Sequence, residues 1–480
     1  MHSVKHVADG RAARDRRCTR GRRSAVAATA ATFVLALAQG AGAVSFLPDP
    51  AFGTEGSVVL AESGFLHNAA VQSSGRILVL VEGDAQHDLV GLRPDGSTDS
   101  AFGAGGVAAL PGTGSSLYYN GPEGLVVQAD DRIVVSGRST TGEALVARLL
   151  PDGAPDPDFA ADGILTPAVD PALCVNGGCD PTAATLDPGE RIVVAIRIGP
   201  DIEADARIAV LRLLRDGAPD PTFGDGGVAI LPTPSGSIEV PTGIAAGADG
   251  RVYVLGNRFA PLDARPTLVL RALTTAGLLD ASFGSGGTAR LAIGDETDGL
   301  GIVLDALGRI VVVGSARRPD VSLLDMLLVR WLPSGLLDRS FGGRGVVFAG
   351  AAARNAPLSR DVAAHGRAVA IAPDGTIIVA GGSVPIGGSP CSSSGSVALA
   401  AVAPSGRPQP LVDAAAWYGE PYRILPVADG RWIVVSADPL SCQFPLDPRV
   451  RVTRVLPVAV TEAGGPTPIR PRGARTLPHR

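Results

Sequence analysis

The chain has 480 residues, of which 45% are hydrophobic, 19% charged and 4% aromatic, with 62 Gly, 39 Pro and a formal charge of −5. Gly and Pro together reach nearly twice their ordinary share, which interrupts long helices and excludes a helical bundle or coiled coil. So large an apolar fraction buries a sizeable core, and an all-β, turn-rich fold is expected.

In chain order, the first element is not expected to belong to that fold. Eight basic residues from Lys5 to Arg23 precede an uncharged stretch, Ser24 to Val44, with its apolar centre at Ala31 to Ala38 and small residues at Ala41-Gly42-Ala43. These are the three regions of a secretory signal, with cleavage expected after Ala43; Arg22-Arg23 leaves Sec or twin-arginine export open. The apolar centre is too short to span a bilayer. Its removal takes eight positive and two negative charges, so the mature chain stands at −11. That charge speaks against nucleic acid or an anionic membrane as a partner.

A hairpin with a polar turn then recurs seven times, as in Gln128-Ala-Asp-Asp-Arg-Ile-Val-Val135 and Ala306-Leu-Gly-Arg-Ile-Val-Val-Val313. From Arg76 the equivalent positions are Arg132, Arg191, Arg251, Arg309, Thr376 and Arg431, spaced by 56, 59, 60, 58, 67 and 55 residues. A second element, an apolar strand running into a turn, recurs as Leu145 to Gly153, Val210 to Gly217 and Leu328 to Gly335, with counterparts near Asp88, Thr267, Ser396 and Val450. The third is Phe-Gly-x-x-Gly at Phe52, Phe102, Phe223, Phe283 and Phe341, weaker at Phe159-Ala160 and eroded near Pro410 to Asp413. Asp-Gly turns between β-branched runs are hairpin signals, because Gly supplies the positive φ of tight turns.

A period near 58 residues with four strands predicts the blade of a β-propeller. In the second unit strand A is Gly124 to Gln128, strand B Arg132 to Ser136 and strand C Ala144 to Leu150, with strand D in the Gly-Gly-Val part of the Phe-Gly element. Strand A, small in Ala69-Ala70-Val71, Thr182 to Thr185, Gly243 to Ala246, Gly299 to Ile302 and Ala368 to Ile371, should line the axis. Seven four-stranded blades are expected over residues 44–460. The chain opens with a lone third element at residues 46–60, and the seventh unit stops after strand C. Donation of that N-terminal piece to the last blade would close the ring and leave no open edge. Residues 461–480, rich in Pro and Arg, are expected to be a disordered tail.

The string Leu213-Leu-Arg-Asp-Gly-Ala-Pro-Asp-Pro-Thr-Phe-Gly-Asp-Gly-Gly-Val228, with the Asp-Gly-Arg-Ile-Val-Val hairpin, resembles the delta-60 repeat, a bacterial repeat family with a unit of this length. The resemblance covers about residues 46–458 and departs from the pattern in the sixth unit and at Phe159-Ala160. It implies no catalytic residues.

Site chemistry is sparse. His67, His87, His365 and His479 lack metal-ligand spacing, so no metal or cofactor is expected. Gly381-Gly-Ser383 opens no helix and makes no nucleophile elbow. Asp156, Asp158, Asp162, Asp216, Asp220 and Asp225 lack calcium-loop spacing and read as turn caps or partners of a recurring strand C arginine: Arg148, Arg212, Arg271, Arg330 and Arg454. After loss of Cys18 four cysteines remain, an even count that favours disulfides in an exported chain and allows three connectivities. Repeat register places Cys391 and Cys442 in equivalent loops of neighbouring units, which leaves Cys174 to pair with Cys179. The long B-to-C and D-to-A loops share one face, the expected binding face, with Tyr118, Tyr119, Arg317, Arg318, Arg354 and Arg360 as candidate contacts. The expected protein is an exported monomer, periplasmic, secreted or on the cell surface. It binds an unidentified protein or glycan without catalysis, the alternative being a carboxylate-dependent glycosidase or lyase.

Overall fold

In the computed structural model each repeat unit folds back on itself three times to give a four-stranded antiparallel sheet. The structure describes residues 43–460 apart from 62–64, 83–85, 111, 114–123, 161, 168, 170–173, 175–178, 200–205, 261–262, 295, 318–323, 351–361, 386–395, 410, 413–419, 428–429 and 438–448. Residues 1–42 of the expected signal 1–43, and the expected tail 461–480, therefore lie outside the described residues.

In blade 1, strands A to D are Phe65–Val71, Ile77–Glu82, His87–Leu92 and Val107–Leu110. The second to sixth blades repeat this order, with strand A at Gly124–Val127, Cys179–Leu186, Ile238–Ala246, Thr297–Leu304 and Val362–Ile371. In the seventh, Glu420–Pro426, Trp432–Ala437 and Val450–Val460 are strands A to C. Every strand A touches the strand A before and after it, including Glu420–Pro426 against Phe65–Val71, so the seven blades close a ring. The protein is a seven-bladed β-propeller.

Strand B is buried on both faces, and its period-2 alternation divides its side chains between two neighbours. In blade 1, Ile77, Val79 and Val81 pack with Ile433, Val435 and Val452 of blade 7, whereas Leu78 and Leu80 pack with Ile133, Val135 and Ala147 of blade 2. The core is therefore a series of layers between blades. At the axis the strands crowd as expected: a Cβ on Gly124 would lie 2.4 Å from Ala184 Cβ of the next inner strand.

Ring closure follows the sequence expectation. Ser57–Val59 pairs antiparallel with Thr453, Val452 and Arg451, supplying the outer strand of blade 7, and Ala43–Pro48 continues the same edge against Val455 to Val460. The eroded element behaves differently from its counterparts. Blade 6 keeps only a two-residue strand D, Pro408–Gln409, and Leu411–Val412 then pairs in parallel with Val44 and Ser45. The chain at Leu411–Val412 thus ties blade 6 to the N-terminal strand.

The third element works between blades. Phe52, Phe102, Phe159, Phe223, Phe283 and Phe341 are all fully buried. Each phenyl ring abuts the turn glycine of the following blade, as Phe159 does Gly217 and Phe52 does Gly96 across the seam. Arg148, Arg212, Arg330 and Arg454 lie over the rings of Phe159, Phe223, Phe341 and Phe52, with guanidinium carbon to centroid distances of 4.8, 4.4, 4.4 and 5.0 Å. The same arginines bond Asp156, Asp220, Asp338 and Asp49 at 2.7 to 2.8 Å, and strand B arginines reach those aspartates from the other side.

Arg271 does not belong to this set. The Asp280 N–H donates to the carbonyl of Ala272, so Ala272 holds the position of Arg148, and buried Tyr253 fills the space at 5.8 Å from the Phe283 ring. One residue earlier, Arg271 faces the other side of the strand and bonds buried Glu239, which also binds Arg258.

Candidate binding site at the axial channel

Strand A carries the same irregularity in six blades. A β-bulge falls at His67, Thr182, Thr242, Leu300, Arg367 and Tyr422, each skipped in the pairing with strand B. A bulge leaves one residue unpaired and re-aims its side chain. Because the inner strands stand side by side, these residues form one level around the axis. Two residues earlier, towards the long loops, lie Phe65, Asp180, Val240, Asp298, His365 and Glu420, all partly or fully exposed although they sit on inner strands.

The charged and aromatic groups that tie one blade to the next at this end lie in blades 6, 7 and 1. Arg367 bonds Glu420 at 2.5 Å and lies 3.9 Å over the Tyr422 ring, so blade 6 reaches blade 7. Arg423 Nε donates to Asn68 Oδ1 at 2.6 Å, which carries the contact across the seam to blade 1. Burial, with the positive charge of Arg367, pushes Arg423 down to about 10. Arg367 moves the other way: burial acts against its charge, but Tyr422 and Glu420 hold it and its pKa is raised. Both guanidiniums thus stay charged at neutral pH beside one another. Asp298 is raised by burial, against the hydrogen bond at 2.7 Å that it accepts from the Ser315 N–H and against the influence of His365. Asp180 in the same level is bound by Arg197 at 2.5 Å and Arg138 at 3.4 Å. Chemically, the arc offers a paired cation, an aromatic face and a carboxyl inclined to hold its proton.

Of the residues expected at the binding face, Arg317 ends strand B of blade 5 and bonds Glu296 at 2.6 Å, so its charge is engaged within the blade. Tyr118, Tyr119, Arg318, Arg354 and Arg360 lie outside the described residues, as do Cys391 and Cys442. Cys174 and Cys179 form the expected disulfide, with Cα atoms 4.9 Å apart. Of the aspartates read as turn caps, Asp156, Asp162, Asp216 and Asp220 accept the N–H two residues on, at 2.9 to 3.2 Å.

One association escaped the sequence. His67 on the bulge, Glu82 at the end of strand B and His87 at the start of strand C meet in blade 1, with ligand atoms all within 4.8 Å of one another. Residues 67 and 87 show no spacing signal because the pairing is made by register between strands: Glu82 stands opposite both Phe65 and His87.

A family model described as "Domain of unknown function (DUF5122) beta-propeller" matches residues 128–159, the second unit from its A-to-B turn to its Phe-Gly element. No curated protein matches the chain. Among solved structures the chain is similar to a PQQ-bound aldose sugar dehydrogenase from Streptomyces coelicolor (15% identity, 85% of this chain and 99% of that one, TM-score 0.39). It is also similar to a gluconolactonase from Xanthomonas campestris (11%, 83% and 100%, 0.36) and to an ulvan lyase of polysaccharide lyase family PL25 (10%, 82% and 95%, 0.46). At such identities these likenesses concern the fold alone, and the seven-bladed assignment rests on the strand pairing described above.

Proposed function

We infer that this protein is an exported, non-catalytic propeller of the delta-60 kind that binds a protein or carbohydrate at the long-loop end of its axial channel, with acidic groups favoured. The observation that carries this reading is Arg423 at the axis, beside the Arg367–Glu420 ion pair. Arg423 donates to the neutral Asn68 Oδ1 and to the Tyr422 carbonyl, so beside the Arg367–Glu420 pair it leaves a local positive charge suited to a carboxylate, and Tyr422 offers an apolar face for a sugar ring or side chain. Inner strands also hold these groups more rigidly than loops would.

The alternative, a two-carboxylate glycosidase or lyase, needs a pair of acids about 5 to 10 Å apart, one with a raised pKa. Among the described residues of this mouth only Asp298 is raised, while Glu420 and Glu296 are bonded to Arg367 and Arg317. Export rests on the N-terminal segment; the Cys174–Cys179 bridge is compatible with an oxidising compartment. Among the described residues no helix is long and apolar enough to cross a membrane.

Glycan and protein arrays probed with the exported chain test the reading. Capture of acidic glycans or acidic peptides, lost in Arg423→Ala, is the expected result. Turnover of a polysaccharide that depends on Asp298 would replace it with the enzyme reading.

A further inference from the structure

We propose that His67, Glu82 and His87 bind one divalent transition-metal ion of the zinc class at the long-loop end of blade 1. Nitrogen donors from two imidazoles and an oxygen donor from one carboxylate suit such an ion, with a fourth position left for water or a ligand.

The site is built by three adjacent strands. Glu82 and His87 are directly opposed across strands B and C, and His67 comes from the bulge of strand A, which frees its side chain from the regular alternation and lets it reach the Glu82 end of the blade. His67 Nε2 lies 3.2 Å from Glu82 Oε2, and the two imidazoles meet edge to face with centroids 4.8 Å apart. Donor atoms around a tetrahedral zinc stand roughly 3.4 Å apart, given bonds near 2.1 Å. The widest observed spacing, 4.8 Å, exceeds that separation by about 1.4 Å, to be closed by the side chains as they take up the ion.

Burial distinguishes the cluster from surface acids that meet by chance. His87 is fully buried and Glu82 is 6% exposed, with His67 the opening to solvent at 12%. Mounting is firm: the His87 N–H donates to Thr113 Oγ1 at 3.0 Å, and that hydroxyl donates to the Leu110 carbonyl at 2.6 Å. A cation bound there would be held by all three groups at once, two of them buried.

Isothermal titration of the exported chain with Zn²⁺, after treatment with EDTA and in protein without a histidine tag, is the test. One ion per chain is expected, with Tm raised by Zn²⁺ and lowered again by EDTA. His67→Ala and Glu82→Gln should each weaken binding by more than the about 10- to 100-fold that loss of an outer-sphere partner costs. Co²⁺ should report nitrogen and oxygen ligation in its visible absorption. The proposal is overturned if the wild-type chain takes up no ion, or if His67→Ala binds zinc as tightly as wild type. A cobalt–thiolate charge-transfer band, which would place the ion on cysteines, also overturns it. Should both variants fail to fold, the wild-type stoichiometry, Tm shift and cobalt spectrum still decide.

Discussion

The recurring aspartate of the third element does three jobs with one carboxylate. In Asp220, Oδ1 accepts the Thr222 N–H at 2.9 Å and so shapes the turn, while Oδ2 receives Arg212 at 2.8 Å and Arg191 at 3.2 Å. Arg212 is itself completely buried over Phe223. Removal of the carboxylate would leave that guanidinium buried without its counter-ion, and breaking such a pair costs about 3–5 kcal/mol. Asp220→Ala should therefore lower the free energy of unfolding, read from urea titration, by an amount in that range, far more than an exposed cap such as Asp216→Ala, whose loss costs about 1 kcal/mol. Ala160 is the opposite case. It replaces the glycine of the Phe-Gly pair yet keeps φ at 51°, where a Cβ is strained. Ala160→Gly should stabilise the protein by about 1 kcal/mol, read as a higher urea midpoint at unchanged slope.

Among the elements, the seam between blades 7 and 1 reuses contacts of the interfaces that keep the third element. Phe52 abuts Gly96, the Gly53 N–H donates to the Asp95 carbonyl, and Arg454 Nη1 donates to the Pro94 carbonyl, just as Arg330 does to that of Pro404. Closure is thus made by side chains as well as by the strand Ser57–Val59. Phe52→Ala should cost about 3–5 kcal/mol, comparable with Phe223→Ala in the middle of the ring; a cost below about 1 kcal/mol would show that the seam is not structurally equivalent. Blade 6, which lacks the third element, stands to gain most from a covalent tie to blade 7. Non-reducing peptide mapping is expected to recover Cys391 joined to Cys442, and a free thiol or a link to Cys174 or Cys179 would contradict the repeat register.

At the scale of the molecule the same aspartates set the response to acid. Asp49, Asp156, Asp220 and Asp338 have lowered pKa values despite burial, because turn N–H groups and flanking arginines outweigh it; Asp99 and Asp280 are lowered first by their bonds from Arg76 and Ser282. A carboxylate whose folded pKa lies below its unfolded value stabilises the fold above the unfolded value, near 3.8, and that contribution disappears as pH falls through the folded one. Six such groups acting together should leave Tm nearly level from neutral pH to about 5 and make it fall steeply below about 4. Circular dichroism melts across this range check it, and Asp220→Asn should make the acid fall shallower. A level Tm down to pH 3 would mean that the bonds are equally present in the unfolded chain.

The repeat, the number of blades and the closing of the ring by residues 46–60 could be read from the order of the residues alone. The reason is that every strand and turn is local, with its own β-branched run and glycine, so a period in sequence becomes a period in space. The disulfide Cys174–Cys179 was legible for the same reason. What could not be read were features made by register. The sequence pattern captured strand A only from the bulge onward, because the extra residue breaks the two-residue alternation. The half that carries Asp180, Asp298, His365 and Glu420 was therefore not legible as strand. Arg271 matched the arginine pattern but stands one residue out of step, which in a strand turns a side chain to the other face. The pairing of Arg367 with Tyr422 and the meeting of His67 with Glu82 and His87 join residues that no spacing relates. Only the closing of the ring and the pairing of strands, which are long-range contacts, decided where they stand.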